Sequence, residues 1–155
     1  MLQLNLPEYK FRIKKVDEKF QIFDSQRKRF VSLTPEEWVR QHFIRFMIEV
    51  KGYPSALLAV EKQLNLNGMK KRCDAVLYDR NANPVMIIEF KAPTVAINQE
   101  TFDQVAVYNS KLKVGLFIVS NGLEHYCCKV NTITSRYEFF PEIPDFNSLF
   151  VTRLT

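Results

Sequence analysis

Residues 72–93, RCDAVLYDRNANPVMIIEFKAP, hold two apolar runs that suit neighbouring strands of a buried sheet, separated by DRNANP, a turn by composition. Asp74, Glu89 and Lys91 are set among them. A segment as apolar as VMIIEFKAP is no solvated face, so charges within it need partners or a metal ion. Side chains alternate along a strand, which puts Glu89 and Lys91 on one face and Ile88 and Phe90 on the other. Asp74 shares a face with Val76 and Tyr78. If the two runs pair as a hairpin, strands about 5 Å apart bring Asp74 beside the Glu89/Lys91 pair. Two carboxylates at that spacing can hold one divalent cation. Mg2+ suits them, because it keeps several waters and is held by one or two protein carboxylates plus substrate phosphate. The lysine would complement phosphate charge, or help orient and deprotonate an attacking water. The bland alternative is an ion pair between Glu89 and Lys91 at a strand end.

The elements around this hairpin are legible from period and caps. YKFRIKKV, KFQIFD and RKRFVSL read as a small N-terminal β-meander. A first helix is predicted from Thr34, with Pro35 at its first position and Glu37 completing a capping box. Val39, Phe43, Phe46, Met47 and Val50 line one face, and Gly52 ends it with Pro54 just beyond. At about 100° per residue Glu36 falls near the centre of that stripe and Glu37 on its flank. Capping explains Glu37. Glu36, aimed into the domain, requires a cation, and Arg40 one turn on is the plain candidate.

SALLAVEKQLNL reads as a strand closed by an Asn67-Gly68 turn, followed by the two runs already described. NQETFDQVAVYNSKLK is a second helix capped by Asn98, with Phe102, Val105, Ala106 and Leu112 as its apolar stripe. Gln104 and Tyr108, four apart, stack on a different face near Thr101 and Lys111, a face able to look along the sheet end toward the carboxylates. VGLFIVS and LEHYCCKV flank Asn121-Gly122, a hairpin signal, RYEFF adds an edge strand, and PEIPDFNSLF is a tail with one helical turn. The middle therefore reads α-β-β-β-α-β, a mixed sheet with helices packed against it.

Several function classes lose support. There is no GxGxxG and no GxxxxGK[ST], so nucleotide-driven chemistry within this chain is not expected. His42 and His125 lie in different elements, which gives a histidine acid/base mechanism little basis. Cys73, Cys127 and Cys128 make an odd set without CxxC, so reduced, buried thiols of a cytoplasmic protein are expected. No 18-residue apolar segment and no secretory signal are read, so no membrane is expected among the partners. Residues 1–30 carry eight Lys/Arg against four Asp/Glu and supply +4 of the net +5, a balance open to a polyanion partner or to plain solubility. Lys70, Lys71 and Arg72 could grip phosphates or form a solvated turn, and the facing of Glu61 stays undecided.

Asp74, then Glu89-Phe90-Lys91, then Gln104-Val105-Ala106-Val107-Tyr108 resembles the PD-(D/E)xK nuclease superfamily with its QxxxY helix. More narrowly, TPEEWVRQ, GYP, EFKAP and the Asn121-Gly122 hairpin look like the N-terminal nuclease domain of type I restriction enzyme R subunits. The match spans roughly residues 34 to 130, and Cys73 stands where the superfamily's name has proline. The resemblance implies a restriction-endonuclease-like α/β fold. It covers the core (34–130) of a chain whose length fits one domain over 1–155, with an added β-meander (1–33) that the resemblance leaves unaccounted for and an edge strand with tail (131–155). It further implies a metal-dependent DNA endonuclease with Asp74 and Glu89 as ligands of Mg2+, or Mn2+ in its place. Lys91 would be the catalytic lysine, Glu36 an auxiliary acid that tunes the metal, and Gln104 and Tyr108 would contact the DNA backbone or position the site; Lys70, Lys71 and Arg72 are further candidate DNA contacts by their charge. Such nucleases work beside an ATP-driven translocase that this chain lacks. DNA, a partner protein for targeting or translocation, and a second copy of the chain are therefore the expected partners. The rival readings are a non-catalytic nucleic-acid-binding or assembly module on the same fold, and a structural subunit in which Glu89 and Lys91 form a plain ion pair.

Overall fold

The computed structural model describes residues 2–151 apart from Thr132 and Ser135, so those two and the end of the expected 131–155 segment lie outside the described residues. Three strands, β1 (Ile13–Val16), β2 (Lys19–Asp24) and β3 (Arg29–Ser32), pair antiparallel into the expected meander. β2 coincides with the run KFQIFD, whereas β1 and β3 are shorter than the runs that suggested them. Tyr9 and Phe11 leave the ladder to stack near His42, with Phe11 also edge-on to Trp38.

Helix α1 (Pro35–Glu49) begins as expected, with Thr34 accepting from the Glu37 N–H at 3.0 Å and Pro35 at the first position. Val39, Phe43 and Met47 are fully buried on its inner face, whereas Val50, at the C-cap, is 54% exposed. One turn of 3-10 helix (Ser55–Leu57) precedes β4 (Leu58–Leu66), where a continuous strand is predicted. Asn67 and Gly68, both with positive φ, then turn the chain into β5 (Met69–Tyr78) and on to β6 (Pro84–Phe90). Helix α2 (Gln99–Leu112) carries the chain across to β7 (Leu116–Ser120), which lies parallel to β6. β8 (His125–Asn131) and β9 (Arg136–Phe139) complete a six-stranded sheet in simple order, antiparallel everywhere else, and a short α3 (Phe146–Val151) follows. This is the mixed central sheet with flanking helices and an added meander that the sequence predicts.

The sheet is covered on both faces. Val39, Phe43 and Met47 of α1 pack with Ala75, Leu77, Met86, Ile88 and Phe90. Phe102, Val105 and Tyr108 of α2 pack with Val76, Ile87, Phe117 and Val119, the alternate positions of the same strands. The stripe of α2 differs from the expected one. Tyr108 is buried on it and Ala106 is exposed, so Tyr108 shares the packing face instead of standing apart. All three cysteines are free and buried. Among the described residues no helix is long and apolar enough to cross a membrane.

Asn121 and Gly122 fall in a four-residue connection between β7 and β8, longer than a two-residue hairpin. Gly122 has φ +86°, and a Cβ there would sit 2.7 Å from Leu4 Cδ2 and 3.0 Å from Val39 Cγ2. Its carbonyl accepts from the Asn5 N–H at 2.8 Å, which ties the N-terminal segment over α1. Gly122→Ala is therefore expected to lower stability by about 1–2 kcal/mol, read as a shift of the urea midpoint at constant slope.

Candidate active site

The β5–β6 register runs Val76↔Ile87 and Ala75↔Ile88, and one further step sets Asp74 opposite Glu89. Opposed residues on antiparallel strands share a face about 5 Å apart, and both carboxylates are buried. Asp74 is held at both oxygens: Oδ2 accepts from the Phe90 N–H at 2.7 Å and Oδ1 from Arg40 Nη2 at 3.2 Å. Glu89 Oε2 is buried with no hydrogen-bond partner. Ile88 and Phe90 face the α1 layer, as alternation predicts.

Asp74 reaches Arg40 because the strand alternation switches layers beside it. Leu58 of β4 and Ala75 of β5 belong to the α1 layer, while Leu64 and Cys73 belong to the α2 layer. The switch falls at Glu61, which lies between the Val60↔Ala75 and Lys62↔Cys73 pairs, level with Asp74, and has φ +57° within the strand. A left-handed residue inside a strand is strained, and such strain persists only where surrounding contacts hold it. Here Glu61 Oε1 accepts from Arg40 Nη1 at 2.6 Å, and its Oε2 lies 3.7 Å from Arg72. That settles the facing of Glu61: it points to the site.

Arg40 is the centre of this network and was foreseen only as a partner for Glu36. Its guanidinium contacts Glu61 and Asp74, and also Glu37 at 3.3 Å and Glu36 at 3.8 Å. Arg27, from the turn between β2 and β3, donates to Glu37 Oε1 at 2.7 Å and to Asp24. The two glutamates of the first turn of α1 exchange the expected placements, although Glu36 keeps Arg40 as its partner. Glu37 is buried, taking Arg27, Arg40 and the Gln41 amide, while the Glu36 side chain is 44% exposed at the rim. The apolar stripe ignored the N-terminal meander, whose Arg27 supplies Glu37 with a cation. The capping box is accordingly half-formed: Thr34 caps Glu37, and the Glu37 carboxylate is engaged elsewhere.

Burial, reinforced by the neighbouring Asp74 charge, raises the Glu89 carboxyl to about 8, against the pull of Lys91. Burial raises Asp74 to about 6, although Arg40 and the Phe90 N–H draw it down. With no cation bound, Glu89 keeps in the folded state a proton that the unfolded chain releases near its ordinary value of 4.5. The folded state then binds more protons between those values, so stability falls as pH rises from about 5 to 8. The expected loss is on the order of 3 kcal/mol. Urea unfolding in EDTA at pH 5 and pH 8 should show it, and Glu89→Gln should flatten it.

Lys91 Nζ donates to Gln104 Oε1 at 2.9 Å. Among the described residues it makes no ion pair with Glu89 within 4.0 Å, so the plain strand-end pair does not form. Gln104 is exposed on α2 one turn before Tyr108, whose hydroxyl is raised by burial and by the Glu89 charge. The structure thus brings together Asp74, Glu89, Lys91, Gln104 and Tyr108, with Glu36 at the rim. Lys70, Lys71 and Arg72 are exposed along β5, with Arg72 the one that touches the cluster, through Glu61. His42 and His125 have structural partners, the Trp38 carbonyl at 2.8 Å and the Ser120 hydroxyl at 2.7 Å, both ordinary hydrogen-bond lengths. A cavity of about 650 Å3 is lined by residues of β8 and β9 such as Lys129 and Glu138, and by none of the site residues.

Among the described residues no three Asp, Glu, His or Cys side chains are grouped to hold a metal. The donor set that fits one is the Asp74–Glu89 pair. Glu36, Glu37, Glu61, Asp74 and Glu89 face Arg27, Arg40 and Lys91, while Asp24 and Arg72 at the ends offset each other. That leaves a surplus of negative charge, and the orphaned Glu89 Oε2 lies within it. Hard oxygen ligands with an unmet charge match a divalent cation of the Mg2+ type.

The sequence profile of the family described as "Type I restriction enzyme R protein N terminus (HSDR_N)" matches residues 35–144. A similar solved structure is a fragment assigned as an HsdR subunit of a type I restriction enzyme from Vibrio vulnificus YJ016. It shares 18% identity at a TM-score of 0.58, with 79% of this chain covered. The chain spans 25% of that structure's length. No curated protein matches the sequence.

Proposed function

The chain belongs to the family of type I restriction enzyme R protein N termini, and on that premise we propose that it hydrolyses phosphodiester bonds of DNA with a divalent cation held by Asp74 and Glu89. The site then follows the PD-(D/E)xK pattern, with Asp74, Glu89 and Lys91 as its signature residues. The observation that carries it is the buried, unpartnered Glu89 Oε2 opposite Asp74, in a cluster short of positive charge.

The residues divide the work by position. The Phe90 N–H and Arg40 hold the Asp74 carboxylate in one orientation, and Glu89 meets it from the next strand. Mg2+ or Mn2+ bound there would polarise the scissile phosphate and lower the cost of activating water. Lys91 sets an ammonium beside the phosphate, where it stabilises the charge that develops as water adds to phosphorus. Gln104 holds Lys91 Nζ, so its first role is to aim the lysine rather than to touch DNA. Tyr108, buried one turn on, supports Gln104 and borders Glu89. Glu36, at the rim, adds negative charge that raises both carboxyls. Lys70, Lys71 and Arg72 offer phosphate contacts at the exposed end of β5. A partner protein would supply targeting or translocation, and a second copy would supply the cut in the other strand.

Purified protein is expected to nick supercoiled plasmid in Mg2+ or Mn2+ and to stop in EDTA. Calorimetry should show one Mn2+ site, lost in Asp74→Ala and in Glu89→Ala. Full cleavage in EDTA, or by both variants, would overturn the reading. A second reading, a DNA-binding module without cleavage, is favoured by one feature: both Asp74 oxygens already accept hydrogen bonds. It predicts DNA affinity with no Mn2+ site and no nicking in the same experiments.

A further inference from the structure

The outer face of the meander sets cations on aromatic rings. Antiparallel pairing sets Lys14 opposite Gln21, Gln21 opposite Ser32, and Phe23 opposite Phe30. The Arg12 carbonyl accepts from the Phe23 N–H, so Arg12 extends the Phe23–Phe30 row. Paired residues share a face, which gives one row of Arg12, Phe23 and Phe30, a second of Lys14, Gln21 and Ser32, and Lys19 beyond. Ile22 and Asp24, on the opposite face, are buried, so these rows point away from the domain.

Two aromatic rings hold the cations in place. The Arg12 guanidinium lies 4.7 Å from the Phe23 ring centre and 5.4 Å from that of Phe30, and Lys14 Nζ lies 4.1 Å above Phe30. The Phe23 and Phe30 rings meet edge to face at 5.3 Å. Among the described residues no carboxylate lies within 4.0 Å of Arg12, Lys14 or Lys19, and all three are exposed. Of the meander's acids, Glu18 pairs with Lys15 at 3.1 Å and Asp24 with Arg27, while Asp17, exposed in the β1–β2 turn, makes no ion pair with the three cations within 4.0 Å. Arg12 and Lys14, uncompensated, fixed by stacking and about 7 Å apart along one strand, match the repeat of phosphates along a nucleic-acid strand, and Lys19 adds an uncompensated charge on β2. The turn between β2 and β3 carries Arg27, which bonds Glu37 beside the carboxylate site, so one end of this small sheet abuts the site.

We infer that this outer face, centred on Arg12, Lys14 and Lys19, grips the phosphate backbone of duplex DNA outside the cleavage site. The inference rests on the reading of DNA as substrate, and neither Asp74 nor Glu89 takes part in it. Its test is fluorescence anisotropy of a labelled duplex with the whole chain in EDTA, where no divalent ion contributes and no cleavage occurs. The variant Arg12→Gln/Lys14→Gln/Lys19→Gln is expected to lose about 2–3 from the slope of log affinity against log salt, close to one per phosphate contact. Affinity near 0.1 M salt should fall on the order of 10²-fold. Lys15→Gln, on the other face, should match wild type. The inference is overturned if the triple variant, melting as wild type does, keeps both slope and affinity. It is equally overturned if wild type binds no duplex in EDTA, or if the substitutions weaken binding to anionic vesicles alone. Either failure leaves metal-dependent nicking to be judged separately, and loss of nicking with the grip intact would overturn only the nuclease reading.

Discussion

Lys91→Ala is expected to lower plasmid nicking by about 10²–10³-fold, the cost of removing one preorganised donor from a developing negative charge. The protein should stay folded, because the Lys91 main-chain N–H keeps its 2.9 Å bond to the Ser120 carbonyl and the lost side-chain partner, Gln104, is solvent-exposed. Mn2+ binding should persist, since Asp74 and Glu89 remain. Lys91→Arg should rescue the rate only in part: the charge is kept, but a larger planar guanidinium cannot place it where the compact ammonium held by Gln104 stands. Gln104→Ala should produce a smaller defect, near tenfold in the usual range for positioning effects, because it frees Lys91 Nζ without removing it. Nicking kinetics, calorimetry and melting curves on the same preparations separate these roles. Wild-type nicking by Lys91→Ala would sink the mechanism.

Arg40→Ala is expected to cost about 3–5 kcal/mol of stability, the range for leaving buried partners of a removed charge uncompensated. Arg40 touches Glu36, Glu37, Glu61 and Asp74, and it is itself buried. For a chain of this size the melting temperature should fall on the order of 10 °C. The deficit has a sign in pH. Without Arg40 the folded-state carboxyl of Asp74 rises further above its ordinary value, so the folded protein holds a proton that the unfolded chain has released. Stability of the variant therefore drops as pH increases, and the deficit should be smaller at pH 5 than at pH 8. Equal deficits at the two pH values would show that packing, and not charge, explains Arg40. Arg40→Lys should restore part of the loss, because one ammonium cannot reach Glu61 and Asp74 with separate donors as the guanidinium does.

Much of the site was legible because strand geometry is local. Alternation placed Glu89 away from Ile88 and Phe90, and the two apolar runs flanking DRNANP announced a hairpin that sets Asp74 against Glu89. The helix start at Thr34 and the spacing of Gln104 and Tyr108 were likewise local facts. The misreadings have one origin, which is that a helical stripe shows where apolar residues are but not what packs on the flank. Glu37 was assigned to capping because Arg27, ten residues earlier, belongs to a different element. Ala106 was placed in the core of α2 because its small side chain counts as apolar wherever it lies, while Tyr108, with a polar tip, was set aside and is buried. Glu61 could not be oriented, since alternation fails where a single residue adopts positive φ.

Composition and periodicity alone determined that the chain would bury a mixed sheet between helices, and that two carboxylates would be carried into that sheet on adjoining strands, with a lysine just past the end of one. Those outcomes follow from rules acting over a few residues: the two-residue pleat, the helical turn, the turn dipeptides. Only the tertiary structure decided that Arg40 and Arg27 would hold the carboxylate cluster, that Glu61 would turn toward it, and that Glu89 Oε2 would be left without a partner. Charge interactions depend on which segments meet through space and on how much water they exclude, and neither quantity is written in the spacing of residues along the chain.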